Sequence, residues 1–324
     1  MTSDPLERWH ETAGVRSGTR RVFREEAARG KVFFPARLVP HLAHPAVAAL
    51  PGPRRDMLPL LHLYQFLLGT THMETRVVNV AAERIANGRA GLELPAAMRM
   101  DAFKVYCDEG YHALYSLDLA EQIARATGVP VPCWDYGGFV DRHARAARAL
   151  LPGEPMLAQL LQVVVFETLI TSILNEAPAD PDLAGTVRDV LRDHARDEGR
   201  HHRFFAAFFH ELWTGLSRAS RTEVAHTLPA LIQMCVTADV VPVRSALLLA
   251  GLDGGTADQV VRECYDPAAA PRRTGEIARA TVAMCRSAGV LDVPGAAEAF
   301  AARGLTPGRL IAGQSVGENP ANVP

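Results

Sequence analysis

Two copies of one pentapeptide pattern, Asp-Glu-Gly-x-His, hold the residues best suited to chemistry. They are Asp108-Glu109-Gly110-Tyr111-His112 and Asp197-Glu198-Gly199-Arg200-His201. On a helix a Glu and a His three residues apart share a face, so each copy can offer a carboxylate oxygen and an imidazole nitrogen to one point. With 19 Glu and 12 His in 324 residues, a single Glu-x-x-His is expected by chance about once. Two copies that also share the flanking Asp and Gly are a pattern rather than an accident.

Each copy is preceded by a lone carboxylate inside an apolar helical stripe: Glu74, 35 residues before Glu109, and Glu167, 31 residues before Glu198. An ionised carboxylate is costly to bury unless a cation or a proton meets it. One Glu from each of two helices, with Glu-x-x-His from each of two others, is the ligand set of ferritin-like di-metal carboxylate proteins. Here all six positions are filled in order. His194 is a seventh candidate, because His194, Glu198 and His201 stand at i, i+4 and i+7 on one stripe. Four carboxylates and two or three imidazoles suit two iron ions, with manganese possible, better than zinc. Asp108 and Asp197 are placed to accept the outer N–H of an imidazole on the opposite helix, Asp108 from His201 and Asp197 from His112, which would fix the rings.

The elements that must carry these residues follow from periodicity. Residues 6–28 read as a charged helix, whereas 33–53 carry Pro, His and Gly that break any period and read as an irregular arm. From 57 to 87 apolar residues recur at helical spacing, with Glu74 as the intruder and Gly88 at the stop. A second long helix is expected over 95–126, closed by Gly128. A short one follows over 139–150, then a nearly all-apolar one over 156–175, which belongs in a core. A fourth long helix, capped by Asp180 or Asp182, should reach about residue 213. The segments 222–240, 257–264 and 274–288 suggest shorter helices. No strand-type alternation persists, and the tail from about 305, rich in Pro and Gly, should be irregular. The expectation is a single all-α domain over 1–324: a ferritin-like four-helix di-iron core at 55–213 with additional helices.

Composition narrows the partners. With 34 basic against 36 acidic side chains and a net charge of -2, no basic surplus exists to neutralise phosphates, which disfavours nucleic acid and anionic membranes. A 48% hydrophobic content is ample for one sizeable core, and no apolar run approaches a membrane span. Five scattered cysteines, Cys107, Cys133, Cys235, Cys264 and Cys285, form no C-x-x-C pair and read as buried free thiols in a reducing cytoplasm. A small-molecule substrate is expected. The runs Arg20-Arg21, Arg54-Arg55 and Arg272-Arg273 read as solvated surface before a docking face for an electron donor.

On Glu74, Glu109-x-x-His112, Glu167 and His194-x-x-x-Glu198-x-x-His201 the chain resembles the AurF family of non-haem di-iron N-oxygenases, which oxidise the amino group of arylamine precursors in antibiotic biosynthesis. His194 is the feature that separates this family from most ferritin-like di-iron oxygenases. The resemblance implies an all-helical homodimer in which reduced iron binds O2 as a peroxo species and an amine nitrogen is attacked, with two electrons from an external reductase or ferredoxin. It also implies that Glu74, Glu109 and His112 mainly hold one iron while Glu167, His194, Glu198 and His201 hold the other; which carboxylates bridge stays open. Phe66, Thr70, Thr71, Phe166, Thr171 and Asn175 lie near the lone glutamates but read first as core residues. So do Tyr64, Tyr106, Tyr111 and Tyr115, against a radical-carrier role. The rival activities are C–H hydroxylation or desaturation of a small or carrier-bound substrate, and a ferritin-type iron oxidase, which would need far less chain.

Overall fold

The computed structural model describes residues 6–266 and 271–305, apart from the side chains of residues 27, 171–173, 175 and 271–273. The long helices are α1 (Gly52–Met73), α2 (Asn79–Ala86), α3 (Ala96–Thr127), α4 (Gly137–Leu150), α5 (Pro155–Glu176) and α6 (Gly185–Gly215). They are followed by α7 (Arg218–Val236), α8 (Val240–Leu249), α9 (Gly254–Tyr265), α10 (Pro271–Ile277), α11 (Arg279–Ser287) and α12 (Ala296–Ala301). Among the described residues the sole β feature is an isolated bridge between Val32 and Leu183. The all-α expectation therefore holds.

Local chemistry sets the ends of the bundle helices. Pro95 precedes α3, and Gly128 closes it at φ 72°, a left-handed conformation, with its N–H donating to the Ala124 carbonyl. Asp180, expected as a cap for α6, instead accepts the Asp182 N–H in a turn at 2.9 Å, and α6 starts after Ala184 with no side-chain cap. α1 begins earlier than expected because Pro53 fits a first helical turn, where its missing N–H costs nothing. The single helix expected over 57–87 is interrupted at Glu74–Val78 by a π-helical turn between α1 and α2. Hydroxyls contribute to this irregularity: Thr71 and Thr75 donate to the carbonyls of Leu67 and Thr71, at 3.0 and 2.6 Å.

The charged helix expected over 6–28 is three separate single turns, Trp9–Thr12, Gly14–Ser17 and Glu25–Ala28, in a strap laid across α3 and α6. Its buried apolar residues, Leu6, Trp9 and Ala13, end before Gly14, and Gly14 and Gly18 disfavour a continuous helix. The segment expected over 222–240 divides into α7 and α8 at 237–239. Arg218–Leu249 is long and apolar enough to cross a membrane by length and composition, yet α7 packs on α5. All five cysteines are free, but Cys107 and Cys133 are exposed and only Cys285 is fully buried. The expected irregular tail lies outside the described residues.

α1, α3, α5 and α6 form the bundle, with α3 touching α1 and α6, and α5 lying against α6. Two apolar clusters occupy its two ends. One contains Met73, Val105, Val164, Phe204, Phe205, Phe208 and Phe209. The other contains Leu61, Leu119, Leu174 and Leu191. Each bundle helix runs from one cluster to the other, and on every one the candidate ligands fall at the changeover.

Candidate metal centre

The changeover layer is polar and closed to water. Glu74 is 4% exposed, and Glu109, His112, Glu167, His194, Glu198 and His201 are each 2% exposed or less. Glu74 heads the π turn, Glu109 and His112 come from α3, Glu167 from α5, and His194, Glu198 and His201 from α6. The extra residue in a π turn shifts the helix face, which is why such turns recur at functional sites.

Two groups of ligand atoms lie within 4.8 Å of one another: Glu74, His112, His194 and Glu198, and Glu109, His112, Glu198 and His201. His194 Nε2 stands 3.0 Å from Glu74 Oε1 and 3.2 Å from Glu198 Oε1. His201 Nδ1 stands 2.9 Å from Glu109 Oε1 and 3.2 Å from Glu198 Oε1, with Glu167 Oε2 at 3.9 Å. His112 Nδ1 is 3.3 Å from Glu109 Oε2 and 3.4 Å from Glu198 Oε1. This grouping cuts across the division of ligands that the resemblance implies, because His194 accompanies Glu74 and His112, while Glu167 approaches His201 from outside either group.

Ring orientation is set from behind. His112 Nε2 lies 3.2 Å from Asp197 Oδ2, and His201 Nε2 lies 3.1 Å from Asp108 Oδ2. An imidazole whose Nε2–H donates to a carboxylate keeps the Nδ1 lone pair for the interior. Both aspartates are themselves held. Asp108 accepts the Trp9 indole N–H on both oxygens, at 2.9 and 2.8 Å, while Asp197 accepts from Gly14 N and Arg200. Sequence reasoning missed Trp9, Gly14 and Arg200; the only trace was an isolated Trp and two glycines in a charged stretch.

The electrostatics are those of a site short of positive charge. Burial, with Glu109 beside it, pushes Glu74 up to about 7. Burial, then Glu198 and Glu109, drives Glu167 well above the usual carboxylate range. Burial opposes the charge on Glu198, but His201 and hydrogen bonds from the three imidazoles hold its carboxyl well below that range. His112 and His201 are raised well above an ordinary imidazole: burial acts against it, and the surrounding carboxylates prevail. Glu74 Oε2, Glu109 Oε1, Glu167 Oε2, Glu198 Oε2 and His194 Nε2 are buried without an aligned hydrogen bond. Buried polar atoms are seldom left so, and cations at the centre of the layer would satisfy them. The donor set therefore fits two iron ions.

His72, His143, His202, His210 and His226 lie outside the two groups of ligand atoms. His72 stacks on Tyr136 with ring centroids 5.2 Å apart, and His143 packs on Phe139 at 4.2 Å. His202 and His210 line a separate cavity, and His226 Nε2 meets the Pro294 carbonyl at 3.1 Å. Tyr115 packs against His112 and His194, its ring 5.4 and 5.9 Å from theirs, and burial raises its phenol well above the usual range. Tyr64 donates to the Val129 carbonyl, and Tyr106 is exposed.

A cavity of about 270 Å³ runs beside the polar layer. Its walls include Phe66, Thr70 and Met73 on α1, Phe166 and Ile170 on α5, and Tyr136. Thr70 stands one helical turn before Glu74 and Ile170 one turn after Glu167, so the lining shares a face with these carboxylates, neither of which is itself a lining residue. Thr71 is not among the lining residues and donates to backbone carbonyls, while the side chains of Thr171 and Asn175 lie outside the described residues.

A family model described as p-aminobenzoate N-oxygenase AurF matches residues 22–289. No curated protein matches the chain.

Proposed function

The chain belongs to the AurF family of all-helical di-iron N-oxygenases, and from that premise we propose that it oxidises the amino nitrogen of a small arylamine such as p-aminobenzoate, using O2 and two electrons. The observation that carries this reading is the buried layer itself: four carboxylates and three imidazoles, with orphaned oxygens turned inward, between two dry apolar clusters. Glu74, His112, His194 and Glu198 would hold one iron, and Glu109, Glu198, His201 and Glu167 the other, with His112 bordering both. Bound there, the two irons supply oxygen activation.

The protein's own residues do the rest. Asp108 and Asp197 hold the Nε2 protons of His201 and His112 so that each Nδ1 faces inward. The cavity between α1 and α5 takes the aromatic ring against Phe66 and Phe166 and directs the nitrogen toward Glu74 and Glu167. Its apolar walls favour the neutral amine, whose lone pair is the group to be oxidised. Sealing the layer from water protects the oxidising equivalents for the substrate.

A role in natural-product biosynthesis, a cytoplasmic setting for the five free thiols and an external reductase or ferredoxin belong to the same proposal. So does a homodimer. On the outward face of α3, opposite Glu109 and His112, Met100, Phe103, Tyr106, Leu114 and Leu117 are 42 to 63% exposed. A continuous exposed apolar stripe of this kind is suited to a partner surface, and a second copy is the occupant this reading assigns to it.

The test is to load the protein with iron, reduce it anaerobically and mix it with O2 and p-aminobenzoate or another arylamine. Nitrogen-oxidised product in proportion to bound iron supports the reading. Bound iron with oxygen consumed, no amine product and oxidation of a C–H substrate would replace it with hydroxylation, and a protein that takes up no iron would overturn it.

A further inference from the structure

We infer that the amino-terminal strap is a working part of the metal centre, with Trp9 and Gly14 as positioning residues for the two imidazoles that face each other across α3 and α6. The inference rests on the di-iron reading above. Trp9 and Gly14 precede residue 22, where the family match begins, so nothing in that match assigns them a role.

The strap is tied down along its length. Lys104 Nζ donates to the Leu6 carbonyl at 3.1 Å and to Asp101 at 2.7 Å, fixing the start to α3. Further on, Arg20 pairs with Asp118 on α3 and Arg21 with Asp193 on α6, at 2.7 and 2.8 Å. Phe23 N donates to Gln122 Oε1 at 2.8 Å. Between these anchors the strap reaches inward twice, once to each aspartate that holds a candidate ligand.

The two contacts use different chemistry for the same purpose. The Trp9 indole is 8% exposed, packs in an apolar cluster and gives its one N–H to both oxygens of Asp108, which has no exposed surface. Asp108 Oδ2 in turn faces His201 Nε2. Removing the indole donor leaves a buried carboxylate with one fewer partner and free to turn about its Cβ–Cγ bond, so the His201 ring loses its reference. Gly14 instead brings its backbone: its N–H lies 3.3 Å from Asp197 Oδ2, and a Cβ added there would stand 2.8 Å from the same oxygen. Any side chain at position 14 pushes Asp197 away from its 3.2 Å approach to His112 Nε2. Trp9 serves His201 through Asp108, and Gly14 serves His112 through Asp197.

This separation gives the test. Ferrous iron is bound anaerobically and withdrawn by a chromogenic chelator, which reads the affinity of each equivalent without turnover. Trp9→Phe keeps an aromatic ring in place and removes only the donor. It should weaken retention of one equivalent about tenfold, the lower end of what outer partners of a ligating histidine are worth. In an Asp108→Asn background Trp9→Phe should have no further effect, whereas in an Asp197→Asn background it should weaken iron as much as it does in the parent. Gly14→Ala should show the reverse dependence and provides the second arm should Trp9→Phe fail to fold. A merely structural strap would lower stability equally in all backgrounds and leave no such pairing. Two irons held as tightly in Trp9→Phe and Gly14→Ala as in the parent would overturn the strap's role alone. A parent protein that takes up no iron would overturn the di-iron reading beneath it as well.

Discussion

Histidines are buried in this molecule in two contrasting settings. His41, 1% exposed, and His143, 7% exposed, sit among apolar and aromatic neighbours, and burial lowers both to about 4. His112, His194 and His201 are buried to a similar depth, at 2% exposed or less, yet all three are raised, because carboxylates including Glu74, Glu109 and Glu198 surround them. Burial alone makes an imidazole neutral; burial among carboxylates makes it hold a proton that a metal ion can displace. Depth therefore does not identify a metal ligand. The charge of the neighbours does, and the comparison yields predictions of graded size.

The largest effect should follow from Glu198→Ala. Its Oε1 lies within 3.4 Å of all three central imidazoles, so its loss removes the group common to both clusters. Iron retention should fall by more than the ~10–100-fold expected for an outer partner, and amine oxidation should be lost. Iron analysis after gel filtration checks this, and full occupancy in the variant would remove Glu198 from the ligand set. Asp197→Ala comes next. It leaves every inward-facing ligand in place and releases His112 Nε2, so iron affinity or turnover should drop ~10–100-fold. Wild-type iron content and turnover would sink the proposed role of that aspartate.

His194 sharpens the comparison inside the centre. His194→Ala should retain the helical fold by circular dichroism while weakening one metal site, whereas His202→Ala, one residue beyond His201 and facing a different cavity, should do much less. The clusters further predict that the iron weakened by His194→Ala is the one held with Glu74, so Glu74→Ala combined with His194→Ala should lose little beyond the larger single effect. Additive losses in that pair would instead favour the division implied by the family resemblance, in which the two residues serve different irons.

The same contrast explains what could be read from the chain in advance. Glu74, Glu109, His112, Glu167, His194, Glu198 and His201 were legible because a ligand set on helices must repeat at three, four and seven residues, and because polar residues in apolar stripes are conspicuous. The bundle helices were legible for the related reason that Pro95, Gly128 and the apolar run of α5 mark boundaries locally. The strap was not. Trp9 meets Asp108 across 99 positions and Gly14 meets Asp197 across 183, and no local period encodes a contact at that range. The π turn at Glu74 was equally hidden, because it changes the helical register without changing residue type. The cavity walls come from α1, α5, the 136–139 segment and residues 235–239, and look like ordinary core until these distant segments are brought together.

The smallest effect belongs to the neutral histidines and tests the other half of the comparison. His143 is lowered to about 4 by burial, with Arg142 adding to the effect, and its Nδ1 has no hydrogen-bond partner. Its folded-state pKa lies below the ordinary value near 6.5, so the unfolded chain binds the proton more readily than the folded one. The stability this contributes is complete above pH 6.5 and drains away as pH falls through 4. His143→Leu removes the titrating group at similar volume and without breaking a bond at Nδ1, so it should shift the acid unfolding midpoint downward, by less than about one pH unit. Stability near neutrality and iron content should be nearly unchanged. Circular dichroism followed between pH 7 and pH 3 reads the shift. An acid limb identical to the parent would mean that protonation of His143 is relieved by local opening. A loss of iron in the same variant would mean that the two histidine settings are coupled through α4 and α5 and are not independent.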